Sequence, residues 1–176
     1  MFILYGLVLG VIAGLVLGGR IDVLAAVHFR LAPIAVIALA IQIALFSPLA
    51  DALPDGAARA IYLASTAAVA IVVLANWRLT GVPLVVVGAG LNLAAIVANG
   101  GAMPASPSAL ASLGMGVGGN TNSVVVEHPG LAPLTDVFAL PAWLPLANVF
   151  SVGDVLIGIG VAVVIAAAMR RSPASA

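Results

Sequence analysis

Long apolar runs separated by short polar knots are the first pattern in this chain. The runs cover residues 2–19, 31–46, about 59–76, about 83–98 and 152–169. A helix needs about 20 apolar residues to cross about 30 Å of hydrocarbon, so the pattern predicts an all-α membrane protein with five transmembrane helices. The knots carry matching chemistry. Arg20 closes the first run, and Ile21 to Arg30, with Asp22 and His28, suits a short helix at the interface. Ser47 to Ala57 holds Pro48, Asp51, Pro54, Asp55 and Gly56, which is turn composition. Trp77-Arg78 is an aromatic-cation pair suited to headgroup level, and Leu79-Thr80-Gly81 is a tight turn. Arg170-Arg171 stops the last run, and residues 172–176 form a frayed tail beyond a single membrane domain spanning 1–171.

Residues 99–151 differ in character. They hold glycine clusters, many prolines, the polar run Gly119 to Ser123, Glu127, His128 and Asp136, without lysine or arginine. Loops this long are usually functional or disordered. The apolar stretches Ala109–Leu113, Val124–Val126, Val137–Leu140 and Pro141–Leu146 favour a folded cap, and the function is placed there.

Composition agrees with the pattern. The 176 residues are 64% hydrophobic and 7% charged, with six arginines, six acids and no lysine. Soluble domains carry about 25% charged residues. Disorder is excluded by the hydrophobicity, and nucleic-acid binding by zero net charge without a basic run. The absence of cysteine removes disulfides and thiolate chemistry, and no motif implies a cofactor. The first run lacks the cationic start of a signal peptide, so it reads as retained.

The arginines set an orientation. With five spans, Arg20, Arg30, Arg78, Arg170 and Arg171 fall on one side and Arg59 on the other. Cationic segments stay cytoplasmic, which puts the protein in the plasma membrane with its N-terminus and cap outside and its C-terminus inside. Gly6, Gly10, Gly14 and Gly18 repeat every four residues on one helix face. Such a groove packs against a neighbouring helix or joins two copies of the chain. Gln42, Ser65, Thr66 and Asn92 read as helix-to-helix hydrogen bonds. No ionisable residue falls at mid-membrane depth, which counts against ion-coupled transport.

Candidate chemistry gathers where the cap meets the last run. Asp154 sits three residues after Ser151, a capping-box pattern with Asp in place of Glu. Asp136 lies eighteen residues earlier between apolar stretches and has no such explanation. Two carboxylates brought together could share a proton, leaving an acid and a base near neutral pH. His128, between Glu127 and Pro129, reads as a solvated turn residue, and no spacing points to a metal site. Asn99 reads as a helix C-cap and Asn148 as a turn, or else both bind a substrate backbone.

Asp136 to Gly160, with Trp143 and the Asn148-to-Asp154 motif, resembles the end of the bacterial lipoprotein signal peptidase (signal peptidase II), and Asn99 to Ser106 is similar to that family's Asn-x-Gly strip. That resemblance implies a catalytic dyad of Asp136 and Asp154. It departs in order, since the strip follows the fourth run here rather than the first, and in Asn148-Val149-Phe150, where the family's Phe-Asn is reversed. Gly18-Gly19-Arg20, Asn99 to Pro104, Leu134-Thr135-Asp136 and Phe150 to Asp154 together resemble a family of small bacterial five-span membrane proteins of unassigned function.

The leading expectation is a multi-pass membrane protein with a binding or assembly site for a peptide or lipid ligand at the outer face. Asn99, Gly100, Gly101, Met103, Pro104, Asn148 and Ser151 would bind, with Asp136 and Asp154 beside them. The alternative is an aspartyl membrane hydrolase using that pair, and small-solute transport ranks third.

Overall fold

A computed structural model describes residues 2–26, 29–45, 53–54, 57–114 and 123–170. His28, Asp51, Asp55, Arg171 and the polar run 119–122, all noted in the sequence, lie outside the described residues. The chain is mostly helical: α1 (Phe2–Val16), α2 (Ala32–Leu45), α3 (Ala57–Ala75), α4 (Val82–Ala98), the short α5 (Pro107–Ser112) and α6 (Val152–Met169). A 3₁₀ turn, Asp22–Ala26, stands where a longer interfacial helix was expected.

The expectation of five membrane-spanning helices is overturned. Among the described residues only α6, with 18 residues and a mean hydropathy of 2.4, is long and apolar enough to cross a membrane. Phe2–Val16, Ala32–Leu45, Ala60–Ala75 and Val82–Ala98 are apolar but shorter. The reason lies in how the helices end. Gly18 takes the left-handed conformation at φ 79° and Gly19 N–H returns to the Gly14 carbonyl at 2.8 Å, which stops α1 at Val16. Gly100 and Gly101, at φ 69° and 95°, do the same after α4, with Gly101 N–H bonding the Ile96 carbonyl at 2.8 Å. At 1.5 Å per residue a helix of about 15 residues covers about 22 Å, less than a bilayer core.

The all-α expectation is corrected as well. Four two-residue strands stand in the cap: β1 (Met103–Pro104) runs parallel to β2 (Ser123–Val124), and β3 (Phe138–Ala139) antiparallel to β4 (Val149–Phe150). A parallel bridge between Ala105 and Asp136 joins the first strip to the stretch leading into β3. Ala105, Ala109, Leu110 and Val149 form a small apolar core, with Leu113, Val125 and Ala139 packed against it.

Glycine decides how the long helices meet. A Cβ on Gly10 would stand 2.8 Å from Ala162 Cα, and one on Gly153 would stand 2.6 Å from the Gly88 carbonyl oxygen. Gly6 faces Gly158 and Gly14 faces Met169. α6 therefore lies between α1, which runs parallel to it, and α4, which runs antiparallel. The glycine repeat of α1 packs within the chain, and only Gly18 has open space where a Cβ would stand. α2 and α3 form a second pair. Gln42 Nε2 donates to Thr66 Oγ1 at 3.3 Å and Ser65 Oγ at 3.5 Å, a helix-to-helix link of the expected kind.

The pairing sorts charge by end. The starts of α1 and α6 and the end of α4 carry the cap with Glu127, His128, Asp136 and Asp154. At the other end of this trio Arg20 N–H bonds the Met169 carbonyl at 2.9 Å, next to Arg170. The sides of the bundle are strongly apolar, with Val16, Val36, Ile43, Leu93 and Val97 all more than 60% exposed.

Candidate functional site

The site begins with a helix start. Ser151 is the N-cap of α6: Asp154 N–H donates to Ser151 Oγ at 3.0 Å, and Ser151 N–H donates back to Asp154 Oδ2 at 3.2 Å. This is the capping box the sequence suggests, with the shorter Asp completing it. The second carboxylate oxygen, Oδ1, accepts from Asn92 Nδ2 of α4 at 2.9 Å, and Ser151 Oγ–H donates to Asn92 Oδ1 at 2.7 Å. Ser151 is fully buried. Asp154, Ser151 and Asn92 thus form a closed triangle tying the two helices where Gly88 and Gly153 let them touch.

Asp136 reaches the same end by another route. Its backbone N–H donates to the Pro104 carbonyl at 3.0 Å and its carbonyl accepts from Ser106 N–H at 2.9 Å, so the extended strip 103–106 holds it on both sides. The residue is 9% exposed; its carboxyl has no hydrogen-bond partner among the described residues, and its oxygens are not sealed from solvent. Burial, and then the negative charge of Asp154, push that carboxyl up to about 7. The two acids are therefore within each other's field, and their surroundings differ. Asp154 has donors on both oxygens; Asp136 has none.

The remaining predicted residues build the frame. Asn99 Nδ2 donates to the carbonyls of Ala95 at 2.7 Å and Gly130 at 2.8 Å, and Gly130 N–H donates to Asn99 Oδ1 at 2.8 Å. Its amide thus caps α4 and clamps the cap loop onto it. Gly100 and Gly101 supply the left-handed turn. Met103 and Pro104 are β1, with Pro104 fully buried and its carbonyl on Asp136. Asn148 Oδ1 accepts from Val149 N–H at 2.9 Å, a local turn bond. The side-chain bonds of Asn99 and Asn148 are thus made within the fold. Phe150 of β4 stacks between Phe2 and Phe138 with centroids 4.5 and 5.5 Å away, closing the cap over the start of α1. Tyr5 Oη–H donates to the Pro145 carbonyl on the same side.

Asn92 is the site residue that sequence reasoning missed, since it was read only as a helix-to-helix bond. A signal was available: Gly88, Asn92, Ala95 and Asn99 fall on one face of α4, the face that glycine marks for close contact. His128 is exposed in a bend. No group of three or more metal-ligating side chains occurs among the described residues.

A cleft of about 540 Å³ opens in the cap among Ala105, Ser106, Val125, Val126, Thr135 and Val137. Thr135 and Val137, which line the cleft, flank Asp136, and Val137 N–H bonds the Thr135 carbonyl at 2.8 Å in a tight turn around it.

Neither a curated protein nor a solved structure matches the chain, so the local likeness to signal peptidase II finds no support in whole-chain similarity. What does match covers α2 to most of α6 and the whole cap: over residues 26–166 the chain belongs to a family of unknown function, DUF5317.

Proposed function

We propose that this chain is a membrane-associated binding protein whose working group is the Asp136 carboxyl, held protonated near neutral pH at the cap end. The observation that carries the reading is a carboxyl on a residue only 9% exposed that has no hydrogen-bond partner among the described residues yet keeps an edge open to solvent. A proton held there is both retained and within reach of a ligand. A protonated carboxyl donates one strong hydrogen bond, and a carbonyl of a peptide or acyl ligand approaching the outer face would accept it. Association with the membrane rests on α6 and on the apolar sides of the bundle. The arginines at the far end favour the cytoplasmic side for that end and the outer face for the cap.

A second reading is favoured by the charge of Asp154 acting on Asp136. A protonated acid beside an ionised one can activate water for hydrolysis of a membrane-embedded or secreted substrate.

Infrared titration of the purified protein tests the first reading. One carboxyl band should titrate near pH 7 and vanish in Asp136→Asn; a wild type in which every carboxyl ionises below pH 5 would refute it. A photo-crosslinker at Phe138, which is 45% exposed, separates the two readings in cells. Asp136→Asn keeps a donor, so a binding site should yield the same adducts as wild type, and Asp136→Leu should lose them. A hydrolase should instead accumulate uncleaved adduct in both Asp136→Asn and Asp154→Asn.

A further inference from the structure

The arginine end holds a second cleft, of about 470 Å³, lined by Arg30, Leu74, Asn76, Trp77, Arg78 and Leu79. It lies where the start of α2 meets the end of α3, and the fold takes trouble to place its first arginine. Asn76 is buried at 4% exposure and grips the Arg30 backbone from both sides. Arg30 N–H donates to Asn76 Oδ1 at 3.0 Å, and Asn76 Nδ2 donates to the Arg30 carbonyl at 2.9 Å. The same Nδ2 also reaches the Val72 carbonyl at 2.8 Å, which anchors the clamp to α3. The next residue, Leu31, sits in the left-handed region at φ 62°. A leucine resists that conformation, because its Cβ crowds the backbone there. A buried amide and a strained turn thus fix the backbone that carries Arg30 beside Arg78.

Both arginine side chains are exposed, and neither has an acidic partner among the described residues. Among the described residues the ion pair is Arg20 with Asp22 at 2.6 Å, on the surface elsewhere. Arg78 stands 5.8 Å from the Trp77 ring, which holds the guanidinium over an aromatic face without satisfying its donors. Two unpaired guanidinium groups offer the planar, forked donors that suit phosphate oxygens. The apolar wall of Leu74 and Leu79 and the exposed Trp77 suit the glycerol and acyl portion of a molecule at headgroup depth. We infer that the cleft between Arg30 and Arg78 is a binding site for a phosphate ester anion, either the headgroup of an acidic lipid or a soluble phosphate ester. This site is independent of the Asp136 reading and lies at the opposite end of the molecule.

The chain has two tryptophans, and Trp143 is 80% exposed in the cap. The full-length protein carrying Trp143→Phe therefore reports on Trp77 alone. In a neutral detergent, its fluorescence should change saturably with phosphatidylglycerol in mixed micelles and far less with phosphatidylcholine. Arg30→Gln and Arg78→Gln should each weaken half-saturation by about tenfold, or about 1.4 kcal/mol. Arg30→Lys and Arg78→Lys, which keep the charge but lose the fork, should fall between. sn-Glycerol 3-phosphate separates the sources. An arginine-dependent response to it equal to that of the lipid assigns a soluble ester, and a response to the lipid alone assigns a headgroup. Equal responses to phosphatidylglycerol and phosphatidylcholine, no saturable response to any probe, or binding unchanged in both glutamine variants would overturn the inference.

Discussion

Asp136 and Asp154 are one residue type at one end of the molecule, and their neighbours divide them. Asp154 receives Ser151 N–H and Asn92 Nδ2. Asp136 receives no side-chain donor among the described residues, and burial, then the charge of Asp154, push its carboxyl up to about 7. The consequence for stability has a definite sign. In the unfolded chain Asp136 ionises near 3.8, so between that pH and about 7 the folded state holds a proton that the unfolded state has released. This contribution is fully present below 3.8, declines as pH rises and is gone above about 7. The unfolding free energy in detergent should therefore fall from pH 4 to pH 7 by on the order of 2 kcal/mol, read as a falling thermal midpoint. Asp136→Asn should flatten that slope, and an unchanged slope would show that another group carries it. The capping box and the C-cap role of Asn99 were legible in the sequence because they are local, three or four residues long. The isolation of Asp136 was not, because it depends on what the strip 103–106 leaves unpaired.

At the scale of elements, glycine positions decide which helices touch. Gly10 and Gly88 meet the backbone or near-backbone atoms of α6, which cannot rotate away, whereas Gly90 has open space where its Cβ would stand. Gly10→Ala should destabilise the protein by about 1–3 kcal/mol through overpacking. Gly90→Ala should be neutral or stabilising by up to about 1 kcal/mol, because alanine is the better helix former. Midpoints in a neutral detergent distinguish the two, and equal effects would contradict the packing of α1 on α6. The apolar runs located the helices: 152–169 coincides with α6, 83–98 starts one residue inside α4, 31–46 exceeds α2 by one residue at each end, and 2–19 overruns α1 by three. Hydropathy alone could not show where they stop short of a span, because Gly18, Gly100 and Gly101 act through backbone conformation. The strands were invisible for a related reason. Two-residue pairings such as Phe138 with Phe150 are too short to leave an alternating pattern.

Across the whole molecule, the cap end carries Glu127, His128, Asp136 and Asp154, and the other end carries arginines with Asp22 as the acid paired to Arg20. His128 lies at the cap end and Arg78 in the arginine-lined cleft of the α2–α3 pair, both exposed. The absence of cysteine gives a clean background for labelling. A cysteine at His128 should react with an impermeant maleimide in intact cells, and one at Arg78 only after permeabilisation. The reverse result would invert the proposed orientation, and labelling of both in intact cells would remove it.

The sequence by itself determined the apolar character, the approximate helix positions, the capped start of α6 and, Asp22 and Arg59 apart, the gathering of arginines away from the acids of the cap. All of these follow from local composition and spacing. Only the tertiary structure decided that α6 sits between α1 and α4, that the strip starting with β1 holds Asp136 while its carboxyl has no hydrogen-bond partner among the described residues, that Asn76 fixes Arg30 beside Arg78, and that among the described residues one helix rather than five is long and apolar enough for a span. Each depends on contacts between residues tens of positions apart or on backbone turns at glycine, which hydropathy along the chain does not encode.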